Sequence, residues 1–468
     1  MDLSVIEIAK ATGGELLYSG DKTKAIKNIV TDSRKILPDS LFFARKGENF
    51  DGHEFVAQAL ENGAIGAVVR KDSVKLFTLH DKNAAIIEVE DTAQALLDLA
   101  KYYKKSFKNI RLTVAVTGSV GKTTTKEFIY SVLGEKFKTQ KSEGNLNTET
   151  GLPFTVFSLC EDTKALVLEM GTSAFGEIRR LSRAANPETA VITNIGTSHI
   201  ESFGSREGIK KAKLEILEGM EAGSNIIFNA DDPLLYAEKN KTGKKEYFFG
   251  IKNKKADFVA EHIEFDYNAK ASSFALDKFN FEIPALGAHN IYNALPAVIA
   301  GKIYGLKNEE IQSGLNKFEN AKMRQNIYDH SGVTIIDDCY NSSLESVLAA
   351  FEVLSEMAKK TKGRAIAVLS DILEAGDYSR QIHEKIGAKA AEKNISLYLF
   401  GEESKATYDA FVAERGGKNC DAKHSTDKSN IAAFVVAEAK KGDVALFKAS
   451  RGMAMETVLE EFKTMYGG

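Results

Sequence analysis

The stretch Ala115–Phe128, AVTGSVGKTTTKEF, holds two glycines, a lysine and a threonine at a spacing that suits phosphate. Small residues let consecutive backbone N–H groups turn inward onto oxygen atoms, and a helix amino-terminus behind them favours negative charge. Gly118, Ser119, Val120 and Gly121 supply the turn, and Lys122 supplies the charge. Thr123 offers a hydroxyl for Mg2+, with Thr124 behind it. The common phosphate loop is G-x-x-x-x-G-K-[ST], and its first glycine would fall on Val116. This loop reads T-G-x-x-G-K-T, so two explanations stand: a chance match in a strand-turn-helix, or a true loop of a shorter kind.

Two further polar residues fall where strands should end. Glu169 closes ALVLEMG, and His199 follows VITNIGTSHIE. A carboxylate, an imidazole and the loop threonine beside a triphosphate would complete a magnesium shell. Magnesium prefers oxygen ligands, so the histidine points to a second, distinct ion site. In SREGIKKAKLEILEGM, Lys210, Lys211 and Lys213 lie near one end of a helix. They form either a solvated basic face or a site in which one lysine is buried and reacts as a free amine.

These residues need elements to hold them. The 468 residues carry a net charge of −3, 43% hydrophobic and 27% charged residues. That fits a globular protein with real cores and argues against bulk electrostatic attachment to nucleic acid. No apolar run approaches the roughly 20 residues of a membrane span, so no membrane insertion is expected. The start, MDLSVIEIAKATGGE, lacks a signal-peptide pattern. Cys160, Cys339 and Cys420 form neither a disulfide framework nor a zinc pattern, and a cytoplasmic enzyme is expected.

Three stretches differ in texture. Residues 1–107 alternate short apolar runs (LFFAR, AIGAVV, AAIIEV) with helical patterns, a small α/β domain. Residues 108–320 run from IRLTVAVTG through KALVLEMG, TAVITNIG and SNIIFNADD, each a buried strand ending in Gly, Asn or Asp. Strands alternating with helices imply a doubly wound parallel sheet with ligands at the carboxyl ends of its strands. Residues 321–468 repeat the pattern in GVTIIDDCYN, RAIAVLSDI, ISLYLFGE and GDVALFKASRG, a second Rossmann-like domain. The fold class is α/β in three domains, the central one ATPase-like.

TGSVGKTT, EGNLNTETGLP, VLEMG, ITNIGTSHIESFGSREGIKKAKLEI, LGAHNIYNALPA and IDDCYNSS occur in that order. Together they closely resemble the Mur ligase family, which builds the peptide of the bacterial cell wall on UDP-N-acetylmuramic acid. The short loop is that family's usual form, and the resemblance runs from TDSRKILPDSLFFARKGENFDGH to GDVALFKASRG. Within the family the motifs are most similar to the member that adds D-alanyl-D-alanine to the UDP-muramoyl tripeptide. The departures are Ser370 and Ala449 where glycine is usual, and NSSLES in place of a stretch containing Asn-Pro. The nearest rivals are the tripeptide-forming ligase and a folylpolyglutamate synthase, which lacks the amino-terminal domain. A nucleotide-responsive switch without ligase turnover is a rival of another class, but the N-K-x-D base-reading motif of GTPases does not occur.

The resemblance implies ATP-dependent amide formation through an acyl phosphate, in a monomer whose partners are UDP-MurNAc-tripeptide and D-alanyl-D-alanine. It implies that Lys122 and the loop amides hold the ATP phosphates, with Thr123 and Glu169 on a first Mg2+ and His199 on a second. Lys213 matches the position at which the family's lysine becomes a carbamate, an anion able to ligate that second ion. Asn290 and Asn293 match the adenine side, Arg324 a phosphate contact at the domain joint, and Asp338 and Asn341 contacts to ribose and phosphate. Ser33, Arg34, Lys46, Gly47 and His53 are implied at the UDP end, and Asn145, Asn147 and Thr148 at the muramoyl-peptide. Ser450 and Arg451 are the candidates for the dipeptide side.

Overall fold

The computed structural model describes residues 1–18, 21, 23–47, 50–73, 84–417 and 421–467. Cys420, and Glu48 and Asn49 of the GENFDGH motif, lie outside the described residues. Among those residues the chain forms three principal sheets, and each corresponds to one of the textures of the sequence.

The first sheet has five strands in the order 15–18, 85–89, 66–70, 40–43, 28–30, parallel apart from its first pair. The helix Thr92–Ser106 follows, started by Asp91, whose carboxylate accepts from the Ala93 and Gln94 amides. It packs onto the helices Gly151–Phe157 and Glu177–Ala185 of the next unit. One apolar cluster therefore runs from Leu3 through Leu97 to Leu168 and Phe228 without a break, so the first two units share a core.

The second sheet has seven parallel strands in the order 258–259, 245–250, 225–229, 189–192, 112–117, 165–169, 139–141. Leu112–Thr117, Ala165–Glu169 and Thr189–Ile192 are buried at every position, as β-branched and aliphatic runs must be when helices cover both faces. From Leu112–Thr117 the chain first builds toward one edge and later returns on the other side. The carboxyl end of that strand is thus the point where the order reverses, and there the ligand crevice of such sheets opens. Register places Glu169 beside Val116 and Ile192 beside Thr117, so the loop after Thr117 lies between two strand ends. A small antiparallel sheet, 261–266, 271–276 and 279–283, closes the outer side.

The third sheet runs 326–330, 333–337, 444–448, 365–370, 396–400, 422–425, parallel after an antiparallel first pair, with its own cores on both faces. It is joined to the second unit through Met323 and Gln325, both left-handed (φ 59° and 49°) although neither is glycine. Such residues cost about 1–3 kcal/mol each and persist where their surroundings over-determine them. Gln325 meets that condition. Its Nε2 donates to the Leu286 carbonyl, its Oε1 pairs with His289 Nε2 at 2.7 Å and accepts from Asn290 Nδ2, and its backbone N–H donates to Asp338.

The helix Lys122–Gly134 packs along the central strand, and its Phe128 is buried in a stack on Phe318 with ring centroids 3.7 Å apart. Phe128→Ala is expected to cost about 3–5 kcal/mol, measured as a lowered denaturant midpoint for the unfolding of the central unit.

Candidate functional site

The two loop glycines have separate physical reasons. At Gly118 (φ +145°) a Cβ would lie 2.0 Å from Thr193 Oγ1, and at Gly121 (φ +87°) 2.2 Å from Asn293 Oδ1. The loop is pressed between the end of the neighbouring strand and the helix Ala288–Ile303. Asn194 then fastens it: its carbonyl accepts from Ser119 N–H, its Oδ1 accepts from Val120 N–H, and its Nδ2 donates to the Val120 carbonyl. Thr193 Oγ1 donates to the same carbonyl, and Gly196 N–H donates to Ser119 Oγ. Glycine at Val116 is not required, because the tight passage begins only at Gly118.

Helix Lys122–Gly134 starts at Gly121 with no side chain capping it. The orphan N–H groups of its first turn are left to whatever occupies the crevice. Lys122 Nζ donates to the Gly118 and Ser119 carbonyls at 2.9 and 3.2 Å. Enclosure pushes its pKa down, nearby Glu169 pushes it up, and Arg324 pushes it down again.

The crevice itself, about 240 Å3, is lined by both the second and third units. From the loop come Ser119, Val120, Gly121, Lys122, Thr123 and Thr124. From the helix after the small sheet come Asn290 and Asn293, and from the joint and beyond come Arg324, Asp338 and Asn341. Residues predicted from four separate stretches thus line one cavity. Asn290 is already committed within the protein: its Nδ2 donates to Leu286 O and Gln325 Oε1, while its Oδ1 accepts from Asn293 Nδ2. The guanidinium of Arg324 lies over the Tyr340 ring at 4.2 Å.

Glu169 is 3% exposed, and its two oxygens differ. One accepts from Asn147 Nδ2 at 2.8 Å; the other, Oε2, is buried with no hydrogen-bond partner among the described residues. A carboxylate oxygen in that condition fits a hard cation. Among the described residues no three His, Cys, Asp or Glu side chains gather as a preformed metal cage. A Mg2+ held here would therefore draw most ligands from phosphate and water, as this ion usually does.

His199, at φ 59°, lines a second, smaller cleft of about 140 Å3 with Glu374, Ser450 and Arg451. Its Nδ1 is 2.6 Å from Glu374 Oε2 of the third unit. The imidazole N–H beside it holds the Glu374 carboxyl below its ordinary value, against the opposite effect of burial. Ser450 is buried, and its Oγ accepts from Leu373 N–H; Arg451 is half-exposed and paired with Glu456. Lys213 is 2% exposed in the last turn of the helix Arg206–Leu214. Burial pushes its pKa well down and Lys122 adds to the fall, against smaller opposite effects of Glu177 and Glu215. Lys210 pairs with Glu238 and Lys211 stands over the Phe175 ring, so of the three lysines only Lys213 is buried.

In the first unit His53 is held within the protein. Its ring is 1% exposed: Nε2 accepts from Arg70 N–H at 2.9 Å and Nδ1 lies 2.5 Å from Asp51. Both nitrogens are engaged within the domain. Ser33 is likewise buried, its hydroxyl given to Gln58, while Arg34 is exposed on Asp32. Lys46 is exposed and Gly47 N–H donates to Phe50. Asn145 and Thr148 are exposed at the start of the helix Gly151–Phe157, whereas Asn147 turns onto Glu169.

The sequence reading passed over Asn194, Gln325, Glu374 and Lys448. Lys448 is 1% exposed at the end of its strand; it donates to Asp338 Oδ2 at 2.6 Å and to the Asn341 carbonyl, and it lines the larger crevice. The rule that singled out Glu169, a polar residue closing an apolar strand, applies equally to ALFKAS and to AVITN. Gln325 and Glu374 carry no such local signal, since their partners lie in another unit.

Residues 25–104 match the Mur ligase family catalytic domain, 116–301 the Mur ligase middle domain, and 323–451 the Mur ligase glutamate ligase domain. The chain is 39% identical to the UDP-N-acetylmuramoyl-tripeptide--D-alanyl-D-alanine ligase of Bacillus subtilis over 98% of each chain. It is 32% identical to the enzyme of that name from Haemophilus influenzae, again over 98% of each. Among solved structures it is similar to MurF from Acinetobacter baumannii (TM-score 0.88, 30% identity, 99% of each chain). It is also similar to MurF ligase from Thermotoga maritima in complex with ADP (TM-score 0.82, 30% identity, 94% of this chain and 97% of that one). On this ground, consistent with the phosphate loop and the two-unit crevice, the chain belongs to the Mur ligase family.

Proposed function

We propose that the protein is the ligase that joins D-alanyl-D-alanine to UDP-N-acetylmuramoyl-tripeptide, at the expense of ATP cleaved to ADP and phosphate, in peptidoglycan precursor synthesis. The observation that carries the reading is the crevice in which the uncapped loop helix faces Arg324, Asp338 and Asn341 of the third unit. Full-length likeness to enzymes of that name supports the choice of substrates, and the ADP complex of the Thermotoga relative supports the nucleotide.

In this reading residues 1–107 receive the UDP end, 108–320 bind ATP, and 321–468 present the dipeptide. The tripeptide carboxylate attacks the γ-phosphate, and the dipeptide amine then displaces phosphate from the acyl phosphate. Two anions must meet in the first step, so the site's work is charge neutralisation and positioning. Lys122 and the first-turn amides of its helix hold the phosphates, and Arg324 adds a guanidinium from the joint. Asn290 and Asn293 border the adenine, and Asp338 and Asn341 the ribose and phosphate. Ser450 and Arg451, sharing the smaller cleft with His199, receive the dipeptide. Asn145 and Thr148 face the muramoyl-peptide, and Arg34, Lys46 and Gly47 the uridine diphosphate.

Thr123 and Glu169 would hold one Mg2+, and His199 with a carbamylated Lys213 a second. When bound, these ions screen the phosphate oxygens from the approaching carboxylate. Burial keeps Lys213 as the free amine that carbamate formation requires, and the product is an anion where a cation would repel metal.

Purified protein with Mg-ATP and UDP-MurNAc-tripeptide is expected to release phosphate steadily only when D-alanyl-D-alanine is added. Release without the dipeptide, or stimulated instead by free lysine or diaminopimelate, would overturn the assignment. Lys213→Ala is expected to lower turnover by ~100-fold or more, with partial recovery on addition of short carboxylic acids; full activity in that variant would exclude the carbamate. Gly121→Ala, which drives a Cβ toward Asn293, is expected to weaken ADP binding by at least about tenfold, or about 1.4 kcal/mol, in a titration on protein whose circular dichroism is unchanged.

A further inference from the structure

Lys126 lies one turn beyond the phosphate loop on the same helix, and it is 1% exposed. Its ammonium donates to the Ser142 carbonyl at 2.6 Å, lies 3.1 Å from Glu127 Oε1, and reaches to 4.0 Å from Glu169 Oε2. Glu127 is shared: its other oxygen pairs with Lys141, which also stands over the Tyr130 ring. One carboxylate divided between two ammonium groups leaves positive charge on Lys126 to act on Glu169. Among the described residues Lys126 is the one ion-pair partner of Glu169 within 4.0 Å, and it faces the oxygen that accepts no hydrogen bond. Two anchors, Ser142 and Glu127, keep it from swinging away.

We propose that Lys126 is an internal counter-ion that holds divalent metal off Glu169 until nucleotide phosphates arrive. The inference rests on the reading of Glu169 as a magnesium ligand. A fixed ammonium this close to the ligand oxygen, with both side chains buried, opposes the entry of a dication. It also spares Glu169 the cost of standing buried and unpaired while the site waits. A triphosphate brings several anionic oxygens to the loop at once, which reverses the balance. Metal and nucleotide then enter as a unit, and the empty enzyme does not trap an ion in a geometry that lacks the phosphates. A lysine serving only to neutralise Glu127 would leave metal affinity unaffected.

The test is titration of Mn2+, followed by calorimetry, into the full chain with and without ADP, on wild type, K126M, K126R, E169Q and K126M/E169Q. K126M is expected to tighten Mn2+ binding to the nucleotide-free protein at least about tenfold. K126R keeps the wild-type value, and the double variant loses the gain. K126Q, which retains a donor for the Ser142 carbonyl, is expected to act as K126M and serves if that variant does not fold. Unchanged or weakened nucleotide-free binding in the variant that folds would overturn the inference. ADP-dependent Mn2+ binding that survives intact in E169Q would instead overturn the ligand role of Glu169.

Discussion

Positive charge buried at the carboxyl edge of a parallel sheet is what the rest of this structure has to accommodate. Lys126, Lys213 and Lys448 are each no more than 2% exposed, and Lys448 lines the crevice that the phosphate loop borders. A buried ammonium without a partner costs several kcal/mol or loses its proton. The three solve the problem differently. Lys126 takes Glu127, Glu169 and a carbonyl. Lys448 takes Asp338 at 2.6 Å and a carbonyl of Asn341. Lys213 has Glu177 and Glu215 only as weak compensation and lies in the field of Lys122, so its pKa falls well below the ordinary lysine range. The arrangement separates two lysines held by carboxylates from one lysine held mainly by burial, using the same residue type throughout.

A second constraint follows from dividing the cleft between two units. Arg324, Asp338, Asn341 and Lys448 reach it only if the third sheet is held at the right distance from the loop. Gln325 is the pin: its side chain is bonded to the start of the helix that carries Asn290 and Asn293, while its backbone is bonded to Asp338. Thr197 to Glu345, His199 to Glu374 and Tyr378 to the Gly204 carbonyl tie the far side. The cavity is thus complete only in the approximated arrangement, which is also the one that keeps water from an activated acyl group.

What could be read from the sequence follows from how local each feature's cause is. The loop, its strand and its helix are specified within the unbroken stretch Leu112–Gly134, so Gly118 to Thr124 were legible, and Glu169 was legible because an acid closing an apolar strand has few other reasons to be there. The parallel sheets were legible from runs too apolar to leave a solvated face. The surroundings of His53 were not legible, because Arg70, whose N–H meets one of its nitrogens, lies on a separate strand. Gln325, Glu374 and the sharing of Glu127 by two lysines depend on partners in other strands or units, and nothing in their neighbours announces them. The third-unit departures from the family pattern are accommodated locally. Ser343 in NSSLES caps the helix Leu344–Thr361 with its hydroxyl, and Ala449 fills a buried apolar position.

Ser370 is the departure with a physical cost, and it shows where the site tolerates change. Its hydroxyl is buried with no partner among the described residues, at the end of a strand whose neighbour Asp371 accepts from Ser404 N–H. An unpaired buried hydroxyl is destabilising by roughly 1–3 kcal/mol. Ile372 and Leu373, immediately following, line the smaller cleft, and Leu373 N–H is fixed by Ser450 Oγ. The segment's direction is therefore set by Ser404 on one side and by Ser450 on the other, and not by the residue at 370. A strand end clamped from both sides can carry a suboptimal side chain between the clamps without moving Glu374, the residue through which it meets His199.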